Sequence, residues 1–221
     1  AARKMTQFIL TGINMEMNVK AERLILRACD GSSTAAMTMI PVKLLSDGAE
    51  NATITPLAAD LDGALGLLED DGIELTISER KIRLQDGRND IRLNGLSGKY
   101  PSLSSLPRSL PYRVGLEKEA VQSACRAATL FDANKIVHLE IGDNGRQAVY
   151  STIESETGAF NVAHELDGVE IEPLSIDLDA ETVANIVTGD CRLHYKDGRS
   201  LVMLNTQGRY IWLSPVIRHS T

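Results

Sequence analysis

The side chains able to do chemistry are spread thinly along this chain. Its four histidines, His138, His164, His194 and His219, stand 25 to 30 residues apart, without the close pairing that metal ligation from one helix or loop uses. The three cysteines, Cys29, Cys125 and Cys191, are odd in number and contain no Cys-x-x-Cys; they read as buried reduced thiols. No Gly-x-Ser-x-Gly, His-Glu-x-x-His or phosphate-binding glycine loop occurs. Carboxylates gather in turns and at helix starts, where they cap and solubilise. The expectation is a protein without catalytic residues, metal or cofactor, and not an enzyme. What the sequence does offer is a polar stripe. Lys118, Gln122 and Arg126 recur every four residues on one side of a helix expected over Leu116–Phe131, opposite an apolar face of Leu116, Ala120, Ala124, Ala127, Ala128 and Phe131. Such a stripe can meet phosphates; on its charges alone it is an ordinary solvated helix face.

The elements that would carry this stripe follow from length and pattern. The 221 residues suit one large domain or two of roughly 100 each. Hydrophobic residues make up 43% and aromatic ones 4%, so the core is aliphatic. A formal net charge of −7 excludes a protein that grips nucleic acid over its whole surface and leaves room for one local contact face. No apolar run approaches the ~18 residues that span a bilayer, and no charged-then-apolar segment opens the chain. The expectation is a cytoplasmic protein with no membrane partner.

In the stretch from Asp71 to Tyr112, three alternating segments (Ile73–Ile77, Ile82–Leu84, Ile91–Leu93) are separated by polar turns, including Asp86-Gly87, and predict consecutive antiparallel strands. From Ser97 to Tyr112 the alternation stops, with three prolines and five serines, which predicts a connector between two folded halves. Ahead of it the pattern predicts strands over Gln7–Met17, Arg23–Cys29, Thr34–Val42 and Asn51–Thr55, then a helix opened by Pro56 with Leu57, Leu61, Ala64, Leu65 and Leu68 on its apolar face. Behind it come the Leu116–Phe131 helix and strands over Ile136–Ile141, Gln147–Ser155, Gly158–Glu165 and Leu174–Leu178. A helix capped by Asp179 and ended by Gly189 follows, then strands Cys191–Tyr195, Leu201–Leu204 and Tyr210–Leu213.

The second half repeats the first. Leu61-Asp62 corresponds to Leu178-Asp179, Ile73–Ile77 to Cys191–Tyr195, and Ile91–Leu93 to Ile211–Leu213, at separations of 117 to 120 residues. Tandem copies of one α+β unit would give this, each with two helices on one face of about eight strands. The boundaries are residues 1–98, a connector over 99–113, and 114–221. In the first copy the opening helix is missing except for a last turn at Arg3 and Lys4.

The order of these elements, with Lys99-Tyr100-Pro101-Ser102-Leu103 after the last strand of the first copy and Tyr210-Ile211-Trp212-Leu213-Ser214-Pro215-Val216 at the end, resembles the DNA sliding clamps, the processivity factors of DNA polymerases. Tyr100-Pro101 holds the place of the bacterial family's Phe-Pro. The resemblance implies two tandem clamp-type domains, antiparallel sheets outside and helices inside, closing into a ring around duplex DNA. It implies that Lys118, Gln122, Arg126, Arg3 and Lys4 face the DNA with weak direct contact. It implies a pocket for short linear peptides of DNA polymerase and clamp loader, formed by Leu106, Pro107, Arg108, Leu213, Ser214, Pro215, Val216 and Ile217. It implies that the turn Asp30-Gly31-Ser32-Ser33 forms another part of that pocket, with Gly31 and Ser32 peptide-binding and Ser32-Ser33 standing where bacterial clamps often carry His-Arg. Two domains per chain imply a homo-oligomer, a trimer ahead of a dimer. A clamp-like peptide-binding scaffold that does not encircle DNA is the alternative.

Overall fold

A computed structural model of the chain describes residues 8–69, 72–78, 80–142, 145–152, 158–166 and 171–216. The chain divides into two compact units, Ala1–Leu103 and Ser104–Thr221, the cut falling inside the segment that the sequence assigns to a connector.

The first unit contains β1 (Asn14–Asn18), β2 (Arg23–Cys29), β3 (Thr34–Pro41), β4 (Ala52–Ile54), α1 (Ala58–Leu65), β5 (Glu74–Ile77), β6 (Lys81–Gln85) and β7 (Asp90–Asn94). Its strands lie in the orders β4-β1-β2-β3 and β5-β6-β7, antiparallel throughout. Strand β6 shows why. Lys81-Ile82-Arg83-Leu84-Gln85 alternates, and successive side chains point to opposite faces, so Ile82 and Leu84 enter the core while their neighbours stay at the surface. They meet Met15, Leu24 and Ile54 from the other sheet and Leu61 and Ala64 from α1.

The second unit contains β8 (Tyr112–Leu116), α2 (Lys118–Phe131), β9 (Ile136–Ile141), β10 (Gln147–Ser151), β11 (Asn161–Glu165), β12 (Leu174–Asp179), α3 (Ala180–Ile186), β13 (Cys191–Tyr195), β14 (Val202–Thr206) and β15 (Arg209–Leu213). The orders here are β12-β9-β10-β11 and β8-β13-β14-β15. Strand for strand, β4-β1-β2-β3 and β12-β9-β10-β11 are one arrangement, as are β5-β6-β7 and β13-β14-β15. The internal repeat is therefore a repeat of topology. Helices α2 and α3 lie over one core, in which Val121, Cys125, Val183, Val187, Leu193 and Leu204 line a common gap.

Turns are set by carboxylates. Asp30 accepts from the N–H groups of Ser32, Ser33 and Thr34, and Gly31 supplies a φ of 83° in between. Asp86 and Asp197 organise the β6–β7 and β13–β14 turns in the same way, accepting from Arg88 and Asn89 and from Arg199 and Ser200.

Several sequence expectations need correction. The predicted strand over Gln7–Met17 begins only at Asn14. Phe8 and Ile9 are helical, and Thr11 closes the helix by donating its N–H and hydroxyl to the Phe8 carbonyl. Tyr112–Leu116, read as connector and helix start, is a strand held by β13; Leu116 is thus not on α2. That helix buries Val121, Ala124, Cys125 and Ala128, a face rotated from the predicted one, because small side chains on one flank let the β-branched and thiol side chains pack inward. Helix α1 leaves Leu65 46% exposed, and Pro56 precedes it in a bridge to Gly95. Helix α3 is capped as expected, Thr182 N–H donating to Asp179 Oδ1 at 2.7 Å, but it ends at Ile186, before Gly189.

Two outcomes follow from this packing. Ile82 is fully buried, and Ile82→Ala will cost about 2–5 kcal/mol, read as a lower urea midpoint for the transition of the first unit. Burial also pushes the Cys125 and Cys191 thiols up to about 12, with Asp179 and Asp190 respectively adding to the effect, whereas Cys29 is half-exposed. In the native chain at pH 8 a thiol reagent will label Cys29 alone, and all three only after unfolding.

Candidate functional site

Helix α2 starts with no side-chain cap of its own. The Asp190 carboxylate, between α3 and β13, accepts the Lys118 N–H at 3.0 Å and meets the positive end of the helix dipole. From that start the 100° turn per residue places Glu119, Ser123, Arg126 and Leu130 on the outward face, and all four are exposed. Lys118 lies on the flank, half-buried. Gln122 is tied down: its Nε2 donates to the Val187 carbonyl at 2.8 Å, which fastens α2 to the end of α3. The expected three-residue stripe therefore reduces to Arg126 and the flanking Lys118, with Gln122 in a packing role. Arg3 and Lys4 lie outside the described residues.

Among the described residues, α1 and α3 carry no balancing positive charge. Helix α1 exposes Asp60 and Asp62 and has no Lys or Arg. On α3, Glu181 is paired with Lys135 at 2.5 Å. Whatever attraction the described helix faces exert on a polyanion comes from α2.

Around the C-terminal tail, the structure brings two predicted segments of the second unit together through a residue to which the sequence reading assigns no site role. Trp212, the one tryptophan of the chain, is 4% exposed and donates its Nε1–H to the Pro107 carbonyl at 2.9 Å. Its ring stacks on Tyr210, centroids 6.4 Å apart. Leu106 and Pro107 are half-buried there and Arg108 is exposed. Past the end of β15, Ser214, Pro215 and Val216 remain half-buried, and the Val216 N–H donates to the Asp177 carbonyl of β12 at 2.9 Å. Leu213 is different. It shares a sheet face with Ile211 and is 4% exposed, so it packs in the core and offers a ligand no surface. Ile217 lies outside the described residues. Gly31 and Ser32 belong to the first unit, in the turn that Asp30 organises, and both are exposed. The signal that could have found Trp212 was composition, since a single tryptophan in so aromatic-poor a chain is an anchor candidate.

The arrangement nearest to catalytic chemistry is also here, and the sequence did not suggest it. His138 Nδ1 lies 2.8 Å from Asp177 Oδ1, and Ser175 Oγ lies 3.5 Å from His138 Nε2. The hydroxyl stands at the outer limit of hydrogen-bond distance. Its surroundings are a sheet surface whose β9 and β12 backbones are engaged in their ladder, which provides no oxyanion site of paired amides. The His138–Asp177 pair instead steadies the strand that holds the tail. Among the described residues, no three His, Cys, Asp or Glu side chains converge as metal ligands, and no helix is long and apolar enough to cross a membrane.

One further surface stands open on the second unit. Strand β11 ends its sheet, with β10 its one neighbour among the described strands. It runs alongside α2: His164 Nε2 lies 3.5 Å from Glu117 Oε1 at one end of the helix, and a Cβ on Gly158 would touch the Phe131 ring at the other. Val162 on this strand and Leu130 on this helix are 43% and 75% exposed. An open strand edge flanked by apolar side chains is a template for pairing with another chain.

No protein-family model and no curated protein matches the sequence. Solved structures do. The chain is similar to the DNA polymerase sliding clamp of Bacillus subtilis with a TM-score of 0.84 at 19% identity, over 97% of this chain and 58% of that one. It is similar to the DNA polymerase III beta subunit of Thermotoga maritima with a TM-score of 0.81 at 14% identity, over 98% of this chain and 59% of that one. It is also similar to the Helicobacter pylori beta clamp, solved bound to a DNA ligase peptide, with a TM-score of 0.80 at 16% identity, over 95% and 58%. The chain has the sliding-clamp fold, and it spans somewhat under three-fifths of the length of these clamps.

The Trp212 anchor can be tested directly. Trp212→Phe keeps an aromatic ring but leaves the Pro107 carbonyl without its donor, which costs about 1–3 kcal/mol when the group stays buried. The expected outcome is a lower denaturation midpoint of the second unit, with the first unit's transition unchanged.

Proposed function

We propose that this chain acts as a DNA sliding clamp, a non-enzymatic ring that encloses duplex DNA and tethers a DNA polymerase to it through a short peptide. The observation that carries this reading is the repeated unit itself: two sheets and their helices, duplicated along the chain, following the solved bacterial clamps over almost its whole length. A ring held by enclosure needs few phosphate contacts, and each further contact would add affinity and salt dependence that oppose sliding. A net charge of −7 with one weakly basic helix, carrying Lys118 and Arg126, fits that requirement.

In this reading the peptide docks beside the tail, where Leu106, Pro107 and Arg108 approach Ser214, Pro215 and Val216 around Trp212. The ligase-peptide complex of the Helicobacter pylori clamp supports a peptide partner of this kind. Chains associate through the free β11 edge with Val162 and Leu130. Two units per chain close a six-domain ring as a trimer; with one more domain outside this sequence, a dimer closes it.

The acidic face of α1 favours a second reading, a clamp-like scaffold that binds peptides without enclosing DNA. Retention on DNA separates the two. A clamp stays on nicked circular duplex and runs off when the circle is linearised; a scaffold behaves alike on both. Reversing Lys118 and Arg126 to Glu is expected to impair loading and processivity and to lower the salt slope of DNA association by about 1 for each phosphate that is no longer neutralised, while tail-directed peptide binding persists. Leu130→Asp with Val162→Asp is expected to shift the assembly to monomer in sedimentation. Equal retention of the wild type on circles and linear fragments would overturn the clamp.

A further inference from the structure

Large apolar side chains left open to solvent are few among the described residues, and three fall between the end of α1 and the head of β5: Leu65 at 46%, Leu67 at 64% and Ile73 at 41% exposure. The β6–β7 turn is bonded to this stretch at Leu67 and Glu69. Glu69 N–H donates to Asp86 Oδ2 at 2.9 Å, and Arg88 pairs with Glu69 at 2.8 Å. Ile73 immediately precedes Glu74, which is in register with Gln85, the residue before Asp86. Leu67 is clamped from both sides, its N–H donating to the Ala64 carbonyl and its own carbonyl accepting from Asn89 Nδ2 at 3.1 Å. An exposed leucine whose backbone is held in this way loses main-chain freedom before binding, a part of what preorganises an anchor.

The rim of the patch is acidic. Asp60 and Asp62 on α1 and Glu74 at the head of β5 are exposed. Hydrogen bonds from the Asn89 side chain and from the Glu69, Arg88 and Asn89 amides hold the Asp86 carboxyl well below the usual range, so it is ionised at any physiological pH. Arg88, the cation beside it, is already paired with Glu69. No Lys or Arg occurs from Leu57 to Ser78.

We propose that this patch is a second docking surface, whose occupant is a short partner segment that sets one or two large apolar side chains between lysines or arginines. Charge complementarity selects that occupant. Phosphates would be repelled, and a second copy of the patch would bring like charges face to face. The proposal rests on residues of the first unit alone.

The test uses the full chain, labelled with 15N, and two synthetic 14-residue probes: an amphipathic peptide of Leu and Lys, and the same peptide with every Leu replaced by Ser. Saturable binding of the first is expected, with amide shifts centred on Leu65, Leu67 and Ile73. The Ser probe should bind at least tenfold more weakly, as should the Leu probe to Leu67→Ser and to Asp60→Lys with Asp62→Lys. All three positions are exposed, so these variants keep the fold. Equal binding of both probes, or an unchanged Leu67→Ser variant, would reduce the effect to general attraction between cation and acidic protein and overturn the proposal. Concentration-dependent shifts at the same amides without peptide would overturn it in favour of a second copy.

Discussion

A strand has two faces, and a helix layer can cover only one of them. That constraint organises both units. In β14 and β15, Val202 and Leu204 face the helices with Ile211 and Leu213, while Met203 and Trp212 point the other way. All six are nonetheless buried. The second face is closed by the connector, whose Pro107 carbonyl takes the Trp212 indole proton. In β6 and β7 of the first unit, the same topological positions hold Arg83 and Arg92, gathered by Asp90, which Arg83 meets at 2.9 and 2.7 Å. One face is dressed for cover and the other for water.

From this difference follows the asymmetry of the two units. The second has a tail laid on β12 and a connector laid on β15, so its surface is built of segments that approach one another around a buried aromatic anchor. The first has a compact acidic rim around a few fixed aliphatic side chains. A duplicated fold has thus acquired two chemically distinct surfaces without altering its strand order, because the outward residues of a sheet change freely while its inward ones must still pack.

Charge is distributed on the same principle. Asp190, Asp179 and Asp30 spend their carboxylates on backbone N–H groups at helix starts and turns, and Lys135 is paired with Glu181. Arg126 is left on the outward face of α2, beside an otherwise acidic protein.

By itself the sequence determined which segments alternate with a period of two, where Asp-led turns interrupt them, that one unit is repeated, and that Asp179 caps a helix. Each of these is written in neighbouring residues. Strands such as Arg23–Cys29, Ile136–Ile141 and Cys191–Tyr195 were legible to the residue for that reason. Only the tertiary structure decided that Tyr112–Leu116 is a strand, since its ladder with β13 is what holds it; that Gln122 is a fastening between helices; that Leu213 is core and Trp212 the anchor; and that Leu67 is pinned open by Asn89. These depend on partners 22 to 105 residues away, and local propensity carries no information about which distant group will meet a side chain once the sheets have closed.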